Sequence, residues 1–220
     1  MSVRGGFDIK LEHLNNDLIR MGGLIEEAIA NSLRALRDGD KNLAKLVVKN
    51  DDIIDEMEKD IESQSLSLIL REQPVADDLR RVSSALKMVT DMERIGDSAA
   101  DIAEISLSND LTRIFGLVDG IQEMAEKAIL MVADAVTSFV KLDTALAENV
   151  MERDDEVDAL FDRIKYDLVE KIKKDDTIFD MAVDIIMIIK YLERIGDHSV
   201  NICEWVCFCK TGEYKHTKII

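Results

Sequence analysis

The sequence predicts an all-α chain made of two tandem, pseudo-symmetric antiparallel three-helix bundles, six long helices in all. Three observations carry this expectation. Apolar residues recur in alternating steps of four and three over long runs, which is the period of one helix face. Breakers are scarce, with 1 proline and 10 glycines in 220 residues, too few for the frequent turns of an all-β fold. Two blocks of sequence also recur in the same order, the mark of a duplicated unit.

The first helix runs through Phe7, Leu11, Leu14, Leu18, Met21 and Ile25, then Ile29, Leu33 and Leu36, to a break at Asp38-Gly39-Asp40. Gly39 suits the left-handed stop and Asp40 the cap of the next helix. The second passes through Leu43, Val47, Ile54, Met57, Ile61 and Leu68 and ends at Gln73-Pro74. Pro74 suits the first turn of a third helix, which carries Leu79, Val82, Leu86, Val89, Ile95 and Ile102 and fades at Ser108-Asn109-Asp110. The seam then restarts at Leu117, Ile121, Met124, Ala128, Met131 and Ala135. A fifth run spans Leu146 to Ile172, Lys173-Lys174-Asp175-Asp176 interrupts it, and a sixth runs from Thr177 towards Trp205.

The repeat is visible in the letters. Glu93-Arg94-Ile95-Gly96-Asp97 recurs as Glu193-Arg194-Ile195-Gly196-Asp197, and Asp51-Asp52-Ile53-Ile54-Asp55 is answered by Asp154-Asp155-Glu156-Val157-Asp158. The units are expected to be residues 1–109 and 110–220, each folding as helix, short turn, helix, longer turn, helix.

Composition narrows the function classes. Hydrophobic residues make up 47% and charged residues 33% of the chain, and the formal net charge is −17. A surface this acidic repels phosphate backbones, which argues against a nucleic-acid partner, and it attracts cations. The longest apolar stretch, Ile185 to Ile189, is far too short for membrane insertion. Met1 to Gly6 contain no apolar leader core, so a cytoplasmic location is expected. Cys203, Cys207 and Cys209 crowd into one segment and form no disulfide framework. They read as small half-buried thiols rather than metal ligands.

The acidic repeats are the candidate sites. Stepping by sevens from Glu93 reaches Leu79, Leu86 and Ala100, and from Glu193 reaches Phe179, Ile186 and Val200. Each glutamate therefore stands on an otherwise apolar line. Asp97 and Asp197 follow one turn later, and Asp101 and Asn201 one turn after that. On the second helix of each unit, Asp51/Asp55 and Asp154/Asp158 are spaced four apart, so their carboxylates project side by side. Antiparallel packing of the second and third helices would converge these pairs into an oxygen-rich site for hard cations. Gly96 and Gly196, each costing about 1 kcal/mol within a helix, point to close approach by a neighbouring helix or by a metal cluster.

Two other readings stand beside it. Carboxylates at this spacing are common on solvated faces, and Arg94 and Arg194 offer simple salt bridges, so a structural bundle with solvated acids fits the spacing as well. A metal store or metal-dependent enzyme fits the carboxylates alone. No Glu-x-x-His, HExxH or phosphate loop is present, however, and His13, His198 and His216 are scattered. Tyr191 and Trp205 read as packing aromatics.

From Phe7 to His216 the chain resembles the PhoU family, bacterial regulators of phosphate uptake. The most specific matches are the two Glu-Arg-Ile-Gly-Asp segments, the second followed by His198. Arg71-Glu-Gln-Pro-Val-Ala-Asp-Asp-Leu-Arg80, Met21-Gly22 and Glu26-Glu27-Ala28 also agree. The resemblance implies two three-helix bundles and no enzymatic activity. It further implies multinuclear metal clusters of iron, zinc, manganese or magnesium, held here by Asp51, Asp55, Glu93 and Asp97 and by Asp154, Asp158, Glu193 and Asp197. Asp101 and Asn201 are outer candidates, and Asn201, lacking the charge of Asp101, makes the two clusters unequal. The implied function is an adaptor between the ATPase of a phosphate ABC transporter and a sensor histidine kinase, restraining phosphate-starvation signalling. A homodimer is among the expectations.

Overall fold

In the computed structural model the described residues are 3–215 and 217–218; His216 and the first two residues lie outside them. The order is α1 (Val3–Asp38), α2 (Lys41–Glu72), α3 (Ala76–Ser108), a short α4 (Thr112–Phe115), α5 (Ile121–Lys141), α6 (Thr144–Ile172), a 3-10 turn (Asp176–Ile178), α7 (Phe179–Thr211), and two-residue strands β1 (Glu213–Tyr214) and β2 (Thr217–Lys218) paired antiparallel. The six long helices fall where the apolar seams place them. Leu117 is not in the fourth long helix; it lies in the link before α5 and is exposed.

Local chemistry sets the ends. Gly39 takes φ 66°, and the Asp40 carboxylate accepts from the backbone N–H groups of Asn42 and Leu43 at 3.0 Å each. That satisfies two of the donors that a helix start leaves free. The second half repeats the device: Asp143 accepts from the Leu146 N–H at 3.0 Å, with Leu142 in the left-handed position at φ 52°. Pro74 is not in the first turn of α3. It follows the left-handed Gln73, which closes α2, and it precedes the extended Val75, which caps α3. A residue preceding proline is pushed out of the right-handed helical region, so the proline ends one helix rather than opening the next.

α1, α2 and α3 pack on one another, as do α5, α6 and α7, and the halves also pack like against like, α1 on α5 and α3 on α7. Leu14, Ile25, Met92 and Ile95 therefore share one continuous core with Met131, Ile164, Ile188 and Ile195. Fully burying a side chain of this size contributes about 1.5–3 kcal/mol, so the halves stabilise each other. Gly22 permits the α1–α5 approach: a Cβ there would meet a Val136 methyl at 3.3 Å. At the C-terminal end the Trp205 ring stacks on Tyr214 with centroids 3.9 Å apart, fastening the strand pair to α7.

Candidate metal centres

α2 and α3 run close together because Gly96 has no side chain. A Cβ there would lie 3.0 Å from an Ile54 methyl and 3.4 Å from Asp51 Oδ1. In the other half a Cβ on Gly196 would lie 2.7 Å from Asp154 Oδ1 and 3.7 Å from Val157. Both glycines thus serve helix approach, and each seats an aspartate oxygen of the facing helix. The cost of glycine in mid-helix is offset by this contact.

In the first half, carboxylate oxygens of Asp51, Asp55 and Asp97 lie within 4.8 Å of one another. Oxygens on opposite sides of a calcium-sized ion are roughly 4–5 Å apart, so this triad matches a hard cation in size and chemistry. Glu93 stands beside it, one turn before Asp97. Two oxygens are buried without a hydrogen-bond partner, Asp51 Oδ1 and Glu93 Oε2. Arg94 Nε lies 3.4 Å from Glu93 Oε2 but makes no hydrogen bond to it. Burial first, then the charges of Asp97 and Asp55, pushes the Asp51 carboxyl up to about 6. Burial, then Asp97 and Glu58, pushes Glu93 up to about 7. Asp97 is raised by burial and by Asp55. Such shifts record carboxylates gathered where burial and mutual repulsion outweigh the flanking Arg94 and Arg194. The donor set therefore fits the metal that the resemblance implies.

The seven-residue line of Glu93 is a half-buried flank rather than a core line. Leu79, Leu86 and Glu93 are all half-buried, and Phe179 on the equivalent line is 55% exposed. The core faces are instead those of Met92, Ile95 and Ala99 and of Leu192, Ile195 and Ser199. The glutamates sit half-buried at the rim of the α2–α3 and α6–α7 grooves.

The second half uses the same backbone with different surroundings. Asp154 Oδ1 is again buried and unpartnered, and burial, then Asp158 and Asp197, pushes its carboxyl up to about 6. Asp158 and Asp197 are exposed, and both are raised by burial first and by Glu193 second. Glu193, however, accepts a hydrogen bond from Lys190 Nζ. The position of Lys190 in the repeat is Thr90 in the first half, and Glu58 there corresponds to Phe161. Lys190 Nζ also stands 5.7 Å from the Phe161 ring centroid. The sequence reading overlooked Glu58, Lys190 and Phe161; setting the repeats side by side for changes of charge next to the motif would have found them.

Asp101 and Asn201 face the seam between α3 and α7. Asn201 Nδ2 donates to Asp91 Oδ1 at 3.2 Å, and His198 Nδ1 is 2.9 Å from the same oxygen. Burial, then the charge and hydrogen bond of Asp101, raises the Tyr191 phenol. Asp101 also acts on Asp51 and Asp97, so it lies between seam and cluster, whereas Asn201 belongs to the seam. Arg194 is 5.8 Å from the Tyr191 ring centroid and acts across the seam on Asp97. Cys203 and Cys209 are buried and Cys207 half-buried, all as free thiols; burial pushes Cys203 up to about 12, which keeps it unreactive.

Comparison with known proteins places this geometry. The PhoU domain model matches residues 18–106 and 121–206. The phosphate-specific transport system accessory protein PhoU homolog of Clostridium acetobutylicum is 38% identical over 208 residues, covering 94% of this chain and 95% of that protein. PhoU homolog 1 of Thermotoga maritima is 33% identical over 208 residues, 94% of this chain and 90% of that one. The crystal structure of PhoU from Pseudomonas aeruginosa superposes with a TM-score of 0.85 at 33% identity, covering 94% of this chain and 100% of that one. These names describe accessory proteins rather than enzymes. With both halves matched by the domain model, and with relatives this similar along nearly its whole length, the chain belongs to the PhoU family.

Proposed function

We propose that this protein regulates phosphate uptake as a cation-holding adaptor. It stands between the ATPase of a phosphate ABC transporter and a sensor histidine kinase, and it restrains phosphate-starvation signalling while phosphate is plentiful. The transport role is supported by the family, whose members are named as accessory proteins of the phosphate-specific transport system. The observation that carries the cation is the convergence of Asp51, Asp55 and Asp97 beside Glu93, with two buried oxygens unpartnered. A divalent ion such as iron, zinc, manganese or magnesium would supply positive charge there and tie α2 to α3. Asp51 and Asp55 would hold it from one helix, Glu93 and Asp97 from the other. Asp154, Asp158, Glu193 and Asp197 form the corresponding group of the second unit, with the units divided between residues 109 and 110. The protein works in the cytoplasm, as a monomer or a homodimer; among the described residues no helix is long and apolar enough to cross a membrane, so attachment there runs through its partners.

The test is genetic. A strain lacking the protein is expected to express phosphate-starvation genes in phosphate-rich medium, and the wild-type gene to silence them. Unchanged expression on deletion contradicts the regulatory role. Asp51→Asn/Asp55→Asn is expected to restore silencing poorly; full restoration by a correctly folded variant contradicts a role for the cation.

A further inference from the structure

We propose that the two acidic sites have diverged in this chain, so that Lys190 serves as the resident cation of the second and metal binds the first far more tightly. The inference rests on the cation-holding reading above and divides it between the halves.

Three differences support the division. First, the charge inventory changes at two positions next to the motif. Glu58 and Thr90 in the first half become Phe161 and Lys190 in the second. The first site thereby gains a carboxylate, which acts on Glu93. The second gains an ammonium that hydrogen-bonds Glu193 and acts on Asp158 and Asp197. An ammonium and a divalent ion compete for the same oxygens, and like charges repel at such range.

Second, the orphaned oxygens are unequal. The first site leaves Asp51 Oδ1 and Glu93 Oε2 without partners, the second only Asp154 Oδ1. Arg94 Nε approaches Glu93 Oε2 to 3.4 Å without a hydrogen bond, whereas Glu193 Oε2 accepts one from Lys190.

Third, the inner wall differs. Behind Asp51 lies a cavity of about 40 Å³ bounded by Ala28, Asn31, Asn50 and Gly96. In the repeat these correspond to Met131, Asp134, Arg153 and Gly196. Arg153 Nη2 pairs with Asp134 Oδ2 at 2.6 Å, and Met131 reaches to 3.7 Å from where a Gly196 Cβ would be. That wall is filled and carries an ion pair. The first is open and lined by no cation, its charged members being Glu27 and Asp51, with room for about one water, so it lets the Asp51 carboxylate turn towards an ion.

The test is a titration of metal-free protein with Mn²⁺, read by calorimetry and by metal analysis after gel filtration. Wild type should show a tight phase and one at least tenfold weaker. Asp51→Asn/Asp55→Asn should abolish the tight phase, and Asp154→Asn/Asp158→Asn should spare it. Lys190→Thr, a substitution on an exposed side chain, should tighten the weak phase by about tenfold, and Lys190→Thr/Phe161→Glu should bring the phases together. Two equal phases in wild type, or a tight phase lost with Asp154 and Asp158, overturns the division while leaving the cation reading intact. No Mn²⁺ retained by wild type overturns both.

Discussion

The two halves of this protein share a backbone plan and differ at the site each one builds. Both place an aspartate oxygen on a glycine of the facing helix, and both line the groove with a Glu-Arg-Ile-Gly-Asp segment. Carboxylates repel one another in both halves; the first has only arginines flanking them, while the second adds a lysine hydrogen-bonded to Glu193. Duplication preserved what the helix approach needs, namely Gly96 and Gly196, the Asp40 and Asp143 caps, and the buried Ile95 and Ile195. It left free groove-rim positions that alter the local charge, Phe161 also packing against the core.

The comparison breaks first at the glycines, where the largest effects are expected. Gly96→Val and Gly196→Val should each destabilise by about 2–3 kcal/mol through overpacking, lowering the melting temperature by roughly 5–10 °C for a chain of this size. Thermal melts check this. A loss in one half only would mean that the helix approach is not equivalent.

Next comes pH. Asp51, near 6, and Glu93, near 7, are raised above ordinary values of 3.8 and 4.5. The folded state therefore binds more protons than the unfolded state between about pH 4 and 7. Their contribution to stability is fully present below the unfolded values and is lost as pH rises through the folded ones. In chelator, wild type should melt lower at pH 7.5 than at pH 5 as far as these groups govern it. Asp51→Asn and Glu93→Gln should melt higher than wild type at pH 7.5 and show little gain near pH 4. With Mn²⁺ present the sign should reverse, because the same substitutions then remove ligands.

The smallest effect is expected outside the grooves. Arg163→Ala, which removes an exposed ion pair with Glu123 at 3.2 Å, should change stability by under about 0.5 kcal/mol. A urea titration that found more would point to a role for this surface.

Much of the fold was legible in the sequence because long amphipathic helices write their period plainly. The Asp38-Gly39-Asp40 break named its own cap, and the chain obeys it. α4 was not legible: Thr112–Phe115 is one turn, too short to display a period. Nor was the pairing of α1 with α5 and α3 with α7, since periodicity tells which face is buried and not against what. That gap also bears on the line of Glu93. Seven-residue counting gave an apolar line correctly, but lines on the flank and in the core look alike until the neighbours are known. At Pro74 the preference for a helix start gives way to the restriction on Gln73, which closes α2.

The candidate site was legible as residues and as an expected convergence, but not in which oxygens meet. The convergence of Asp51 and Asp55 with Asp97 needed the α2–α3 approach that Gly96 allows. Asp101 and Asn201 are the repeat difference that stands out within the motif's own row, whereas the changes of charge next to the motif are Thr90 to Lys190 and Glu58 to Phe161.

The most direct test of the central claim is a crystal grown with a limiting amount of Mn²⁺ and measured at the manganese absorption edge. The account predicts an anomalous peak among Asp51, Asp55, Glu93 and Asp97, with a much weaker one or none among Asp154, Asp158, Glu193 and Asp197. A peak confined to the second group, or the absence of any peak at the first, would contradict it.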